Sequence, residues 1–302
     1  MSNNAIDLSR LPAPNLIDPM TFELLLVERK ERLIELTPET EREQLAETLQ
    51  LESEPLVKFL QESAYRELML RQMQNERARS LMLAYAAGPE LDHIGVTYYM
   101  TPRLVITPAQ PDATPPAARV DESDTDYLRR ILLAHDAFST AGSRNAYRYF
   151  ALGADPRIKD AEVVRPLAGL VQAYVLSREG DGEASHELVN IVEKALSADD
   201  ARPLNDTVLV ASASVLKFSV SATIELRGGP DSAVVREQAI AEARNYVDER
   251  HALGETIVAG ALESRLYAPG VERVTLHSPV ADLGGEPSEA PYCTGIKVII
   301  ND

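Results

Sequence analysis

Apolar residues recur at Phe22, Leu26, Leu33 and Leu36 among charged positions such as Glu28, Arg29 and Glu31. These helical spacings predict a helix over Phe22–Leu36. Thr37-Pro38 ends it, because a residue before proline is pushed out of the helical region. A short helix is expected across Glu39–Leu51. A third, capped by Ser53 with Pro55 in its first turn, is expected to run to Ala87, where Gly88-Pro89 reads as a stop. It carries two apolar stripes, Val57/Leu60/Ala64/Leu68 and, beside it, Tyr65/Met69/Met73. A helix apolar on more than one face packs in a bundle rather than lying singly on a domain.

Prolines crowd Pro102–Pro116, which excludes helix and reads as an extended linker with a short strand at Arg103–Thr107. A helix follows from the acidic run Asp121–Asp126 through Leu128, Ile131 and Leu132. From Ser139 the texture changes. A turn at Thr140–Ser143 precedes a helix over Arg144–Leu152, closed by Gly153–Pro156. Strands are expected at Ala161–Arg165 and Leu170–Ser177, a helix at Glu183–Leu196 and a strand at Val208–Ala213. That α-β-β-α-β order predicts a small α+β unit with helices on one sheet face. Leu216–Leu226 alternates strictly between apolar and polar, the mark of a strand with one buried face. Gly228-Gly229-Pro230 turns the chain into a helix over Val234–His251. A second helix at Ile257–Leu266 and strands at Val271–Leu276 and Ile296–Ile300 complete a second unit. Ala154–Val164 and Ala268–Val274 share a helix-to-strand texture, a local hint of relatedness. The expected fold class is α+β: a helical bundle-forming region (1–100), a Pro-rich linker and connecting helix (101–138), and two α+β units (139–214 and 215–302).

Charge narrows the partners. The 302 residues hold 30 Lys+Arg against 47 Asp+Glu, a net charge of −17. So acidic a chain repels phosphate backbones and anionic membrane surfaces, so neither nucleic acid nor membrane is an expected partner. Trp is absent and aromatics are 5%, which disfavours ring-stacking sites. The single Cys293 excludes an internal disulfide and a Cys-rich zinc site. No apolar run approaches the ~20 residues needed to span a bilayer. Met1–Asn4 does not open a secretory signal.

Candidate chemistry is sparse. His186-Glu187-Leu188-Val189-Asn190 approaches a zinc-protease helix but has Asn190 where the second ligand is needed. Glu122, Asp124 and Asp126 have calcium-loop spacing, but Tyr127 and Leu133 occupy the positions that need Gly and a bidentate Glu. Ser123 capping a helix, with Asp126 three residues on, is the better reading. Phosphate-cradling glycine loops and a serine-hydrolase elbow are missing from the sequence. Asp199 and Asp200 read as a solvated turn. Arg71, Arg77 and Arg79 lie among Glu67 and Glu76 and read as ion pairs along or between helices. The rival to a structural role is a hydrolase assembled from scattered residues such as Asp199, His186 and Cys293. A receptor-binding tip protein is disfavoured by the low aromatic content and the lack of fibre-like repeats.

The stretch Ala84-Tyr85-Ala86-Ala87-Gly88-Pro89-Glu90-Leu91-Asp92-His93-Ile94-Gly95 resembles a signature of the baseplate J family of contractile phage tails and R-type bacteriocins. Ile6–Pro14, Leu51–Lys58, Glu122–Asp126, Ala141–Ser143 and Arg202–Asp206 agree with it in family order. Gly88, Leu91, Asp92, Arg202 and Pro203 carry the motif. The resemblance implies a structural wedge protein without cofactor or reaction. It implies that copies join one another and a second wedge protein through a helical bundle, and that wedges close into a sixfold ring controlling sheath contraction. Other baseplate and sheath components are then partners. Assembly is expected in the bacterial cytoplasm and the final location in the tail baseplate. The expected partner surfaces are Phe22, Leu26, Leu33, Val57, Leu60, Ala64 and Leu68 on the helices, and Ile296, Val298 and Ile300 on a strand that adds to a neighbour's sheet edge.

Overall fold

The computed structural model describes residue 8 and residues 11–139, 142–198, 201–203, 205–226 and 232–301. The readings placed on Met1–Asp7, Ser9-Arg10, Thr140-Ala141, Asp199-Asp200, Leu204 and Gly228-Gly229-Pro230 lie outside the described residues. The chain divides into two compact units, Met1–Tyr98 and Tyr99–Asp302. Its elements are mixed helices and strands in small sheets, an α+β fold.

In the first unit, helix α1 (Phe22–Leu36) starts at Thr21, whose side chain accepts from the Leu24 amide, and stops at extended Thr37 before Pro38. A 3-10 turn at Glu39–Glu41 leads to the short helix α2 (Arg42–Thr48). Helix α3 (Pro55–Ser80) packs along α1. Its cap is Glu54 rather than Ser53, with no side-chain bond to the helix amides. It is also shorter than expected: Gly88-Pro89 does not stop a helix but opens one, α4 (Gly88–Tyr99). The physical reason is that Gly88 turns the chain at φ +53°, and proline in a first turn needs no amide partner.

The second unit opens with strands β1 (Val105–Thr107) and β2 (Val120–Asp121), which pair antiparallel. The Pro-rich segment is therefore more than a spacer: it folds back as a ribbon, with a further bridge between Gln110 and Ala117. Helices α5 (Asp124–Ala137) and α6 (Arg144–Ala154) follow, each capped by a serine, Ser123 accepting from the Asp126 amide and Ser143 from Ala146. Strands β3 (Ile158–Leu167), β4 (Leu170–Ser177) and β5 (Thr207–Ser212) form one sheet in the order β3-β4-β5, with β4 and β5 parallel. Helix α7 (His186–Leu196) crosses between them. It begins three residues later than expected because Ser185 caps it. Leu188, Val192 and Leu196 from α7, Tyr147 and Ala151 from α6, and Val163, Ala173 and Val175 from the sheet make one core.

The second sheet has the order β10-β6-β8, from β6 (Ser214–Leu226), β8 (Val271–Ser278) and β10 (Glu289–Asn301). Helix α8 (Ser232–Glu249) and α9 (Ala259–Arg265) bury Val235, Ala239, Ala243, Tyr246 and Leu262 against it. Ile257, expected in a helix, belongs to a short strand β7 (Thr256–Ile257) paired with β9 (Leu283–Gly284). The terminal strand is far longer than Ile296–Ile300 and runs parallel to β6, from Glu289 beside Ser214 to Asn301 beside Glu225. Strands β5 and β6 are separated only by buried Ala213. One extended run thus leaves the first sheet and enters the second.

Candidate assembly surfaces

The α1–α3 pair places the expected helical interface residues unevenly. Val57 and Ala64 are fully buried, whereas Phe22, Leu26, Leu33, Leu60 and Leu68 are half-buried. Their stripe is thus largely covered within the chain. Glu67 joins the two helices by pairing with Arg29 of α1 and, at 2.7 Å, with Arg71 one turn on. The rest of the α3 surface is exposed and mixed: Lys58, Glu62 and Arg66 lie there, Arg66 paired with Glu62 at 2.7 Å, among apolar side chains. At ~100° per residue, Tyr65, Met69 and Met73 follow one another, and Phe59 and Leu70 fall beside them. Phe59 is 70% exposed, Leu70 52%, Tyr65 53% and Met69 47%. Leu24 and Val27 are likewise exposed on α1. Sequence reading named the Tyr65/Met69 stripe but missed Phe59 and Leu70, although the same periodicity carries them.

Of the strand residues, Val298 is buried, and Ile296 and Ile300 pack half-buried against the second core. These side chains belong to the chain's own interior. Among the described residues, β6 pairs with one side of β10; the Glu289 and Pro291 carbonyls are taken by the Gly254 amide and His251, and the later part of the strand carries the exposed side chains Lys297 and Ile299. The opposite edge strand, β8, carries exposed Glu272 and Arg273.

The acidic run Glu122–Asp126 sends its three carboxylates to three different arginines. Buried Glu122 accepts from Arg130 Nε at 3.0 Å and Nη2 at 2.8 Å. Asp124 pairs with Arg103 at 2.6 Å and Asp126 with Arg178 at 2.8 Å. Tyr127 lies beneath two of these guanidinium groups and donates to the Thr101 carbonyl at 2.6 Å. Carboxylates that diverge cannot share one cation, and no His/Cys/Asp/Glu group among the described residues is arranged to hold a metal. Asp160, which sequence reading passed over, is buried between Arg129 at 2.7 Å and the amides of Ala161 and Leu253.

Two motif segments distant in sequence meet. Gly142, at φ +66°, lies so close to Pro203 that an added Cβ would come within 2.6 Å of its ring. Arg202 donates to the carbonyls of Ser197 and Asp206, at 3.0 and 2.6 Å. Gly88 and the fully buried Leu91 set the start and inner face of α4, and Asp92 is half-buried one position on. The hydrolase residues do not converge among the described residues. His186 is exposed at the first turn of α7 over the first sheet, while Cys293 lies in β10 with its thiol on the Gly295 carbonyl at 3.4 Å. Asp199 lies outside the described residues.

Models of the baseplate J-like N-terminal, central and C-terminal domains match residues 52–110, 139–212 and 218–299. The baseplate protein J of Escherichia phage P2 is 46% identical over 294 residues, 97% of each chain. The chain belongs to the baseplate J-like family. A baseplate J-like chain is also similar in part to a solved chain from the cryo-EM structure of the anti-feeding prophage baseplate, 6-fold symmetrised. That similarity has a TM-score of 0.40 and 16% identity, over 59% of this chain and 43% of that one. No helix among the described residues is long and apolar enough to cross a membrane.

Proposed function

We propose that this chain is a structural wedge protein of a contractile-tail baseplate. The observation that carries the reading is the set of exposed apolar side chains on α3, in a chain that matches phage P2 baseplate protein J along nearly its whole length. Phe59, Tyr65, Met69 and Leu70 would seat against helices of other copies and of a second wedge protein. The hydrophobic gain of covering such side chains favours association over solvation. The edge of β10 would pair with a neighbour's sheet in the second contact needed to close a sixfold ring. A ring that holds the sheath and then releases it requires interfaces with two discrete packings, because packed surfaces switch rather than stretch. Other baseplate and sheath components complete the assembly, built in the bacterial cytoplasm and retained in the tail. The working divisions of the chain would be 1–100 for the bundle, 101–138 for the connection, and 139–214 and 215–302 for the lateral units.

Co-expression with the neighbouring tail genes, followed by light scattering, tests the reading. The wild-type chain is expected in a discrete multi-chain complex, and Tyr65→Glu/Met69→Glu is expected to remain folded but leave it. A solitary wild-type chain in the presence of every neighbouring gene product would overturn the assignment.

A further inference from the structure

The first α+β sheet bears a surface cavity of about 470 Å³, within the size range of pockets that enclose a ligand or a short side-chain cluster. Its floor is apolar, from Val163 and Val171 of the sheet and the ring of Tyr147. The one carboxylate lining it is already engaged, because Tyr147 Oη donates to Asp206 Oδ2 at 2.8 Å. Burial and that contact push the phenol well above its ordinary range, so the pair stays a hydroxyl bonded to a carboxylate.

The cations at the rim are not engaged. Arg144 and Arg165 both line the cavity, both are exposed, and neither has an ion-pair or hydrogen-bond partner among the described residues. Arg103, Arg129, Arg130, Arg157 and Arg178 of the same unit each hold a carboxylate. Two free guanidinium groups over an apolar floor are out of keeping with a chain of net charge −17.

We propose that this cavity docks an acidic segment of another protein chain, with an apolar side chain seated on Val163 and Val171 and flanking carboxylates on Arg144 and Arg165. The planar fork of arginine matches a carboxylate bidentately, which gives the contact direction as well as charge. A bare inorganic anion would satisfy the arginines and leave the floor exposed to water. The site stands on this geometry alone and does not depend on the wedge assignment.

Fluorescence polarisation tests it with the full chain and a labelled Glu-Glu-Leu-Glu-Glu peptide. Saturable binding that weakens with added salt is expected. Arg144→Glu/Arg165→Glu is expected to reduce affinity by about tenfold or more with an unchanged melting temperature, since both side chains are exposed. No binding at millimolar chain would overturn the proposal, as would equal binding by the double variant. Equal binding of Lys-Lys-Leu-Lys-Lys, or displacement of the peptide by equimolar inorganic phosphate, would do the same. Retention of peptide binding by a chain that fails to join a baseplate complex would separate this site from the wedge reading.

Discussion

Glu122 faces three donors at once: the Nε and Nη2 of Arg130 and the backbone amide of Leu104 at 3.2 Å. Its side chain is 3% exposed and that of Arg130 5%. Taking such a pair out of water carries a cost that only good geometry and full hydrogen bonding offset. The pair is therefore a strong specifier of how the ribbon sits on α5, and removing one member leaves the other charged and alone. Glu122→Ala should destabilise the second unit by about 3–5 kcal/mol in urea unfolding. Asp124→Ala, two residues away and with its side chain half in solvent, should cost no more than about 1 kcal/mol. Similar losses from both variants would show that the buried pair is not what fixes this segment. The calcium-like spacing of these acids is a sequence coincidence. Ser123 capping sets the helix start, and the arginines that claim the acids come from positions 103, 130 and 178, two of them outside α5.

At the scale of elements, α3 has two apolar faces and the structure gives them different work. Val57 lies on the face covered by α1, so Val57→Asp would bury an unpaired carboxylate at a cost of several kcal/mol. It should lower helicity and the melting temperature of the free chain. Phe59→Ser changes an exposed position and should shift stability by within about 0.5 kcal/mol, while weakening any association that uses the open face. Circular dichroism and light scattering on both variants check this. If Phe59→Ser melts the chain as Val57→Asp does, the two faces are not distinct. The periodicity of this helix was legible in the sequence, because apolar spacing reports both faces, but it cannot say which one a partner helix within the chain will take. Terminal residues Ile296, Val298 and Ile300 show the same limit. Alternation marks a strand, yet the parallel pairing of β10 with β6 joins residues more than seventy positions apart and leaves no local signal. The helix starts that were legible had a mechanism in the residues themselves, as at Ser123 and Ser143. The misjudged Gly88-Pro89 has two: it serves equally to end one helix and to begin the next.

Across the second unit, the two sheets are held together by polar contacts as well as by the run from β5 into β6. Asp160 of β3 accepts from the Leu253 amide at 3.1 Å, and Lys217 of β6 pairs with Asp181 at 2.6 Å. Between them, His251 donates from Nδ1 to the Pro291 carbonyl, 2.8 Å away. Its ring meets Tyr292 edge-on and crowds Gly182, where an added Cβ would lie 3.1 Å from it. Burial, and next the nearby Lys159 ammonium, hold the imidazole below its ordinary value of 6.5, against the opposing pull of Asp248 and Asp181. The sign follows from proton counting. Below about pH 6.5 the unfolded chain binds a proton at this histidine that the folded chain resists. The unfolded state then binds more protons, and stability falls as the pH falls. Above that pH both states are neutral there and the contribution vanishes. The loss continues down to the depressed folded value and then levels off. Urea unfolding between pH 8 and pH 5 should therefore show a steeper decline for the wild type than for His251→Gln, which keeps a donor for the Pro291 carbonyl and has no charge to gain. Parallel declines in the two proteins would place the acid sensitivity of the junction in its carboxylates instead.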